Sequence, residues 1–222
     1  MGKKVLVSWS SGKDCAWALY KLLQNENYSV EGLFCTVNKE FNRVAMHGVR
    51  VELLKKQSES LDLPLEIIEI PFPCSNAEYE QIMGEFVKRS KIKEIEHFAF
   101  GDLFLEDVRN YGIDKLKGSG IEAIFPIWGV PTKQLAKEMT ENNLESVITC
   151  IDPLKISSEL IGSEFNENFL KNLPKNIDPC GENGEFHSFV FDGPMFKNKI
   201  EIYYKGEIVN RDNFLFIDLL LK

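Results

Sequence analysis

The chain reads as an α/β protein: a Rossmann-like parallel sheet with helices on both faces, plus a small C-terminal antiparallel element. Three observations predict this. Short apolar runs of strand length alternate with stretches of helical period. The runs are near-continuous rather than alternating with polar residues, as in strands covered on both faces. Beyond about residue 152 the rhythm stops, and turn-forming sequence separates further short runs.

Taken in order, strands are expected at 4–9, 30–37, 65–70, 97–101, 121–127 and 146–151 of a parallel sheet. Between them Ala16, Leu19, Tyr20 and Leu23 recur at helical spacing. So do Val49, Leu53 and Leu54, then Ile82, Phe86 and Val87, then Leu135, Ala136 and Met139. Residues 157–169 read as a helix ended by Leu173-Pro174. The acidic turn from Asp178 to Glu185 follows. Residues 186–191 and 199–204 read as strands, with Lys205-Gly206-Glu207 as the turn before a last strand.

The 222 residues are 44% hydrophobic and 27% charged, enough for one sizeable core and unlike a disordered chain. A formal net charge of -8 argues against general nucleic-acid or anionic-membrane binding, which needs a basic face. Five cysteines without any C-x-x-C spacing make neither a disulfide framework nor a zinc site. No secretory signal opens the chain and no apolar run reaches about 18 residues, so a cytoplasmic location is expected. The apolar groups Phe214-Leu215-Phe216 and Leu219-Leu220-Leu221 either pack internally or form a homodimer surface.

The loop Ser10-Ser11-Gly12-Lys13-Asp14-Cys15 lies between the first strand and the first helix. Backbone N–H groups at such a helix start favour an anion, and Lys13 adds a full positive charge. Asp14 beside it makes sense where Mg²⁺ bridges carboxylate and polyphosphate, so Asp14 is the metal-ligand candidate. An ordinary β-to-α turn capped by Ser10 or Ser11 is the alternative. The P-loop spacing is not met, because Val7 stands at its first glycine and Asp14 at its hydroxyl residue. The loop resembles instead the S-G-G-x-D-S pattern of ATP pyrophosphatases, the PP-loop, with Ser11 at the second position and Cys15 at the last. Helix N-termini lower thiol pKa, so Cys15 is expected to be reactive without being catalytic.

Four separated stretches resemble the diphthine–ammonia ligase family of adenine nucleotide α-hydrolases. They are 8–14 around the loop, Met46-His47-Gly48-Val49, Phe100-Gly101-Asp102 with Arg109, and Cys180 to Phe186. The wording resembles that of a shorter, bacterial-like branch. The resemblance implies an ATP-dependent ligase that adenylates a carboxylate, releases pyrophosphate and AMP, and accepts ammonia. It implies an ATP-binding domain over 1–130 and a substrate-side region over 131–222. The acceptor would be a small-molecule or protein carboxylate, an elongation-factor-like protein among the options, with ammonium as nitrogen donor.

In that scheme Ser10, Ser11, Gly12 and Lys13 hold phosphates, with Lys13 and Asp14 acting in catalysis. Asp102 binds metal, ribose or substrate, or else caps a helix. Arg109 reaches a phosphate or makes a surface salt bridge. His47 contacts nucleotide or caps the following helix, and the adenine lies near Thr36. Ammonium must lose a proton as its nitrogen attacks, which makes Glu182 or Glu185 the candidate base. An ATP-binding sensor and a PP-loop tRNA-modifying enzyme share the loop; the sensor needs no acidic loop, and overall acidity and missing paired cysteines weigh against tRNA.

Overall fold

The computed structural model describes residues 2–44 and 48–222. Its first sheet contains β1 (Lys3–Ser8), β2 (Tyr28–Asn38), β4 (Leu65–Ile70), β5 (His97–Ala99) and β6 (Glu122–Ile124). β1 pairs in parallel with β2 and β5, β2 with β4, and β5 with β6, so the parallel order is β4-β2-β1-β5-β6. The two-residue β3 (Arg43–Val44) adds to β2 antiparallel.

Side chains explain why both faces are covered. Val5 and Val7 of β1 enter one core and Leu6 the other; Leu33, Cys35 and Val37 of β2 alternate with Phe34 in the same way. On the first face lie α1 (Lys13–Leu23) and α2 (Val51–Leu61), with Leu19, Leu53 and Leu54 fully buried. On the second lie α3 (Asn76–Ile92) and α4 (Glu106–Leu116), contributing Phe86 and Leu116. Ser75 and Glu78 form a reciprocal capping box at the start of α3.

α5 (Thr132–Glu141) leads to a second sheet of order β8-β7-β10-β9. Its members are β7 (Glu145–Ile151), β8 (Phe186–Asp192), β9 (Ile202–Arg211) and β10 (Phe214–Leu221), all antiparallel. The run 146–151 therefore opens the second sheet instead of closing the first. Its residues are buried throughout, and a doubly covered strand looks the same in either kind of sheet. The core on the α1–α2 face continues into this sheet through Ile148, Phe189 and Val190.

Two further expectations are corrected. Residues 157–169 are not one helix: a 3-10 turn, Ser158–Leu160, is followed by Gly162 at φ 77°, and α6 (Glu167–Asn172) starts behind its Asn166 cap. β9 runs straight through the segment read as the turn 205–207. The reversal occurs at Asp212-Asn213, whose φ values of 51° and 68° suit a two-residue primed turn.

The second sheet is pinned to the first by charge. Asp218 of β10 accepts from Arg43 and Arg50 at 2.6–2.9 Å, and these two guanidinium groups hold its carboxyl down at about 2. Among the described residues no helix is long and apolar enough to cross a membrane.

Candidate active site

In an open α/β sheet the ligand crevice lies where neighbouring strands send their connections to opposite faces. Here that point is between β1, which leads to α1 on one face, and β5, which leads to α4 on the other. The loops after β1 and β5 part there, and a cavity of about 270 Å³ opens between them. Ser10, Lys13 and Asp14 line it from the first loop, and Gly101 and Asp102 from the second. Glu182, in the loop before β8, and the run Phe186-His187-Ser188 of β8 close it from the other side. The volume is at the small end for a ligand pocket, sized for part of a nucleotide such as its phosphates.

The first loop is bent sharply and held from behind. Ser11 has φ 73°, the left-handed region that favours glycine, and is fully buried with an unpartnered hydroxyl. Its carbonyl accepts from Gln57 Nε2 and from the Val190 backbone N–H, both at 3.0 Å. Gln57 also donates to the Val190 carbonyl at 2.6 Å and accepts from Trp9 Nε1 at 2.8 Å. Ser188 Oγ accepts from the Lys13 N–H at 3.2 Å. Gly101 lies so close to α1 that a Cβ there would stand 2.7 Å from the Cys15 nitrogen, so only glycine fits.

Lys13 is 2% exposed, with Phe165 and Phe186 rings 5.6 and 5.3 Å from its ammonium. The ammonium donates to Asp14 Oδ2 at 2.7 Å and to the Cys180 carbonyl. Two of its three donors are thus used. Burial works against the charge of Lys13, but Asp14 and its other neighbours outweigh it and its pKa is held above the usual value. For Asp14 burial outweighs the ammonium, and the carboxyl is pushed up from its ordinary range. Asp14 Oδ1 is buried without a partner. Asp14 lines the polar cavity, and a carboxyl with one unpartnered oxygen there suits a cation bound with phosphate.

The acidic loop is organised by its own side chains. Asp178 Oδ2 accepts from the N–H groups of Cys180 and Glu182, at 3.2 and 3.0 Å. Glu185 is 3% exposed, and its Oε1 accepts from the Asp178 N–H and from Asn183 Nδ2, so it faces into the loop and not the cavity. Glu182 does face the cavity. Its Oε1 accepts from the Leu103 N–H at 2.8 Å, and burial pushes its carboxyl up to about 7. Burial, then the charge of Asp14, raises Asp102 as well.

Of the residues singled out from sequence, Ser10, Lys13, Asp14, Asp102 and Glu182 meet around the cavity, with Ser11 and Gly12 forming its loop. Thr36 sits within β2 and does not line it. Arg109 stacks 4.8 Å from the Trp128 ring and 5.6 Å from Phe125, away from the cavity. His47 lies outside the described residues. Cys15 is corrected: burial pushes its thiol up to about 11, overriding the helix start. Sequence reasoning gave no signal for Gln57, which contacts the loop from 46 positions away. Ser188, 175 positions away, lies in the aromatic, hydroxyl and valine stretch 186–190 of the family's last motif, but sequence reasoning gave it no role.

The order of these pieces along the chain matches a known family. The N-terminal domain of diphthamide synthase matches residues 3–121 and its C-terminal domain residues 131–217. The chain belongs to the diphthamide synthase family. Curated relatives include the diphthine–ammonia ligases of Rattus norvegicus, 30% identical over 138 residues, and of Homo sapiens, 27% identical over 152. These matches cover 58% and 65% of this chain, and 50% and 56% of the relatives. The diphthine–ammonia ligase of Schizosaccharomyces pombe is 24% identical over 95% of this chain and 38% of its own. The chain spans about half the length of the curated relatives it matches, or less.

Proposed function

We propose that this diphthamide synthase family member is an ATP-dependent ligase of the diphthine–ammonia type. It activates a carboxylate as its adenylate and transfers ammonia to it. The observation that carries the reading is the juxtaposition, at the sheet's switch point, of the Lys13–Asp14 loop with a Glu182 carboxyl raised to about 7. A module that only sensed ATP would have no use for that second group.

Carboxylate oxygen leaves poorly, so the substrate oxygen first attacks the α-phosphorus and pyrophosphate departs. The helix start at Ser11–Lys13 and the remaining donor of Lys13 stabilise charge on the departing phosphates. Asp14 would hold Mg²⁺, directly or through water, and the metal would neutralise phosphate charge; a single carboxylate plus phosphate oxygens is a usual Mg²⁺ set. Ammonia then attacks the acyl carbon, AMP leaves, and Glu182 takes the proton from nitrogen. A carboxylate titrating near 7 is matched to that transfer at neutral pH.

The test is incubation with ATP, Mg²⁺, ¹⁵N-ammonium and a cell extract. The reading expects AMP and pyrophosphate as nucleotide products, and one extract component that gains ¹⁵N. Release of ADP, or no nucleotide turnover, would overturn it.

A further inference from the structure

On the sheet face away from the second sheet, α3 and α4 stand apart. A groove of about 1000 Å³ runs between them over a floor of Phe34, Phe98 and Phe100. Its upper end is formed by Phe100 and Asp102, both of which also line the phosphate cavity. From Tyr79 to Lys91 its α3 wall extends about 18 Å at 1.5 Å per residue.

Two features suit this space to a ligand. Gly84 lies inside α3 and Gly112 inside α4, and both line the groove. A mid-helix glycine costs about 0.5–1 kcal/mol relative to alanine. Packing demands neither glycine: a Cβ at Gly84 would meet nothing within 4 Å, and one at Gly112 only Phe125 at 4.0 Å. Charge is the second feature. In a chain of net charge -8, the groove carries Lys88, Lys91, Lys115 and Lys117. Glu80 pairs with Lys115 at 2.5 Å and Lys91 donates to the Gly120 carbonyl at 2.8 Å, while Lys88 and Lys117 make no ion pair among the described residues.

We propose that the groove binds an elongated amphipathic anion. Its apolar body lies on the three phenylalanines, an acidic end meets the lysines, and the other end reaches Asp102. That end is the carboxylate presented to the phosphate cavity. The role as acceptor rests on the ligase reading above; the binding itself does not.

The probe is the fluorescence of 8-anilinonaphthalene-1-sulfonate, an aromatic anion, with dodecanedioate and 1,12-diaminododecane as competitors of equal length and opposite charge. The full chain should bind the dye, and the diacid should displace it while the diamine does not. Gly84→Leu with Gly112→Leu should weaken dye and diacid at least about tenfold with a melting temperature equal or higher, since leucine favours helix. Lys88→Glu with Lys117→Glu should weaken them similarly. Absence of dye binding, equal competition by the diamine, or unchanged affinity in the leucine variant would overturn the proposal. Thermal shifts with ATP, read on the same samples, separate the two readings: loss of ATP binding with groove binding intact would sink the ligase and leave the groove standing.

Discussion

The two loops that face each other across the cavity differ in what shapes them: contacts from afar for the first, its own carboxylates in good part for the second. The loop from Ser10 to Cys15 is fixed by distant residues: Gln57 on α2, Ser188 and Val190 on β8, and the close approach of Gly101. The loop from Asp178 to Glu185 is shaped by its own carboxylates Asp178 and Glu185, while its Cys180, Asn183 and Glu185 carbonyls accept from Lys13, Lys155 and the Asp152 N–H. Of its carboxylates only Glu182 lines the cavity. Remote anchoring lets the first loop store cost, a left-handed Ser11 and a buried Lys13–Asp14 pair, where catalysis needs fixed dipoles. Local anchoring lets the second place one carboxyl in a half-buried position without disturbing the core.

Substitutions that remove one kind of support at a time sharpen this contrast. The largest effect is expected for Lys13→Ala, which should slow pyrophosphate release about 10²–10³-fold, on the order of 3–4 kcal/mol. Unchanged release in an assay where the wild type turns over would take the first loop out of the mechanism. Next, Glu182→Gln should lower ammonia transfer about 10²-fold and abolish a rate increase centred near pH 7. Its effect on stability has a defined sign. Burial raises the folded carboxyl from 4.5 to about 7, so the proton is held more tightly by the folded chain. The associated stability is present below about 4.5 and is lost as pH rises through about 7. The glutamine variant should therefore melt higher than wild type at pH 8, with the gap closing by pH 4. A gap that widens toward acid would show that Glu182 is not a raised carboxyl.

Gln57→Ala removes three buried hydrogen bonds behind the first loop and should cost about 2–4 kcal/mol in denaturant unfolding. A cost below about 0.5 kcal/mol would mean that the loop does not depend on its remote anchor. The smallest effect is a gain. Ser11→Gly removes a left-handed side chain and an unpartnered hydroxyl, and should stabilise the protein by about 1 kcal/mol while ATP still binds.

Much of the parallel sheet was legible because its signals are local. The apolar run of β1, the small residues of the loop and the spacing of Ala16 and Leu19 lie within a few positions of one another. The pairing of β7 was not legible, since strand sequence states burial and not the partner. The hairpin at Asp212-Asn213 was masked by Gly206, a stronger turn signal by composition. Within the site, residues next to the cavity in sequence were found, while Gln57 and Ser188 act through contacts that only the folded chain creates. Glu182 and Glu185 looked equivalent three positions apart; which one turns outward depends on backbone geometry around Gly181 and Gly184, both at positive φ.

The central claim, that the first loop grips the outer phosphates and leaves the α-phosphate open toward Glu182, is tested most directly by a crystal structure with α,β-methylene-ATP and Mg²⁺. The account predicts β- and γ-phosphate oxygens on the N–H groups at the start of α1, metal on Asp14, and an α-phosphate facing the Glu182 side of the cavity. Phosphates bound elsewhere, or an α-phosphate sealed beneath the loop, would contradict it.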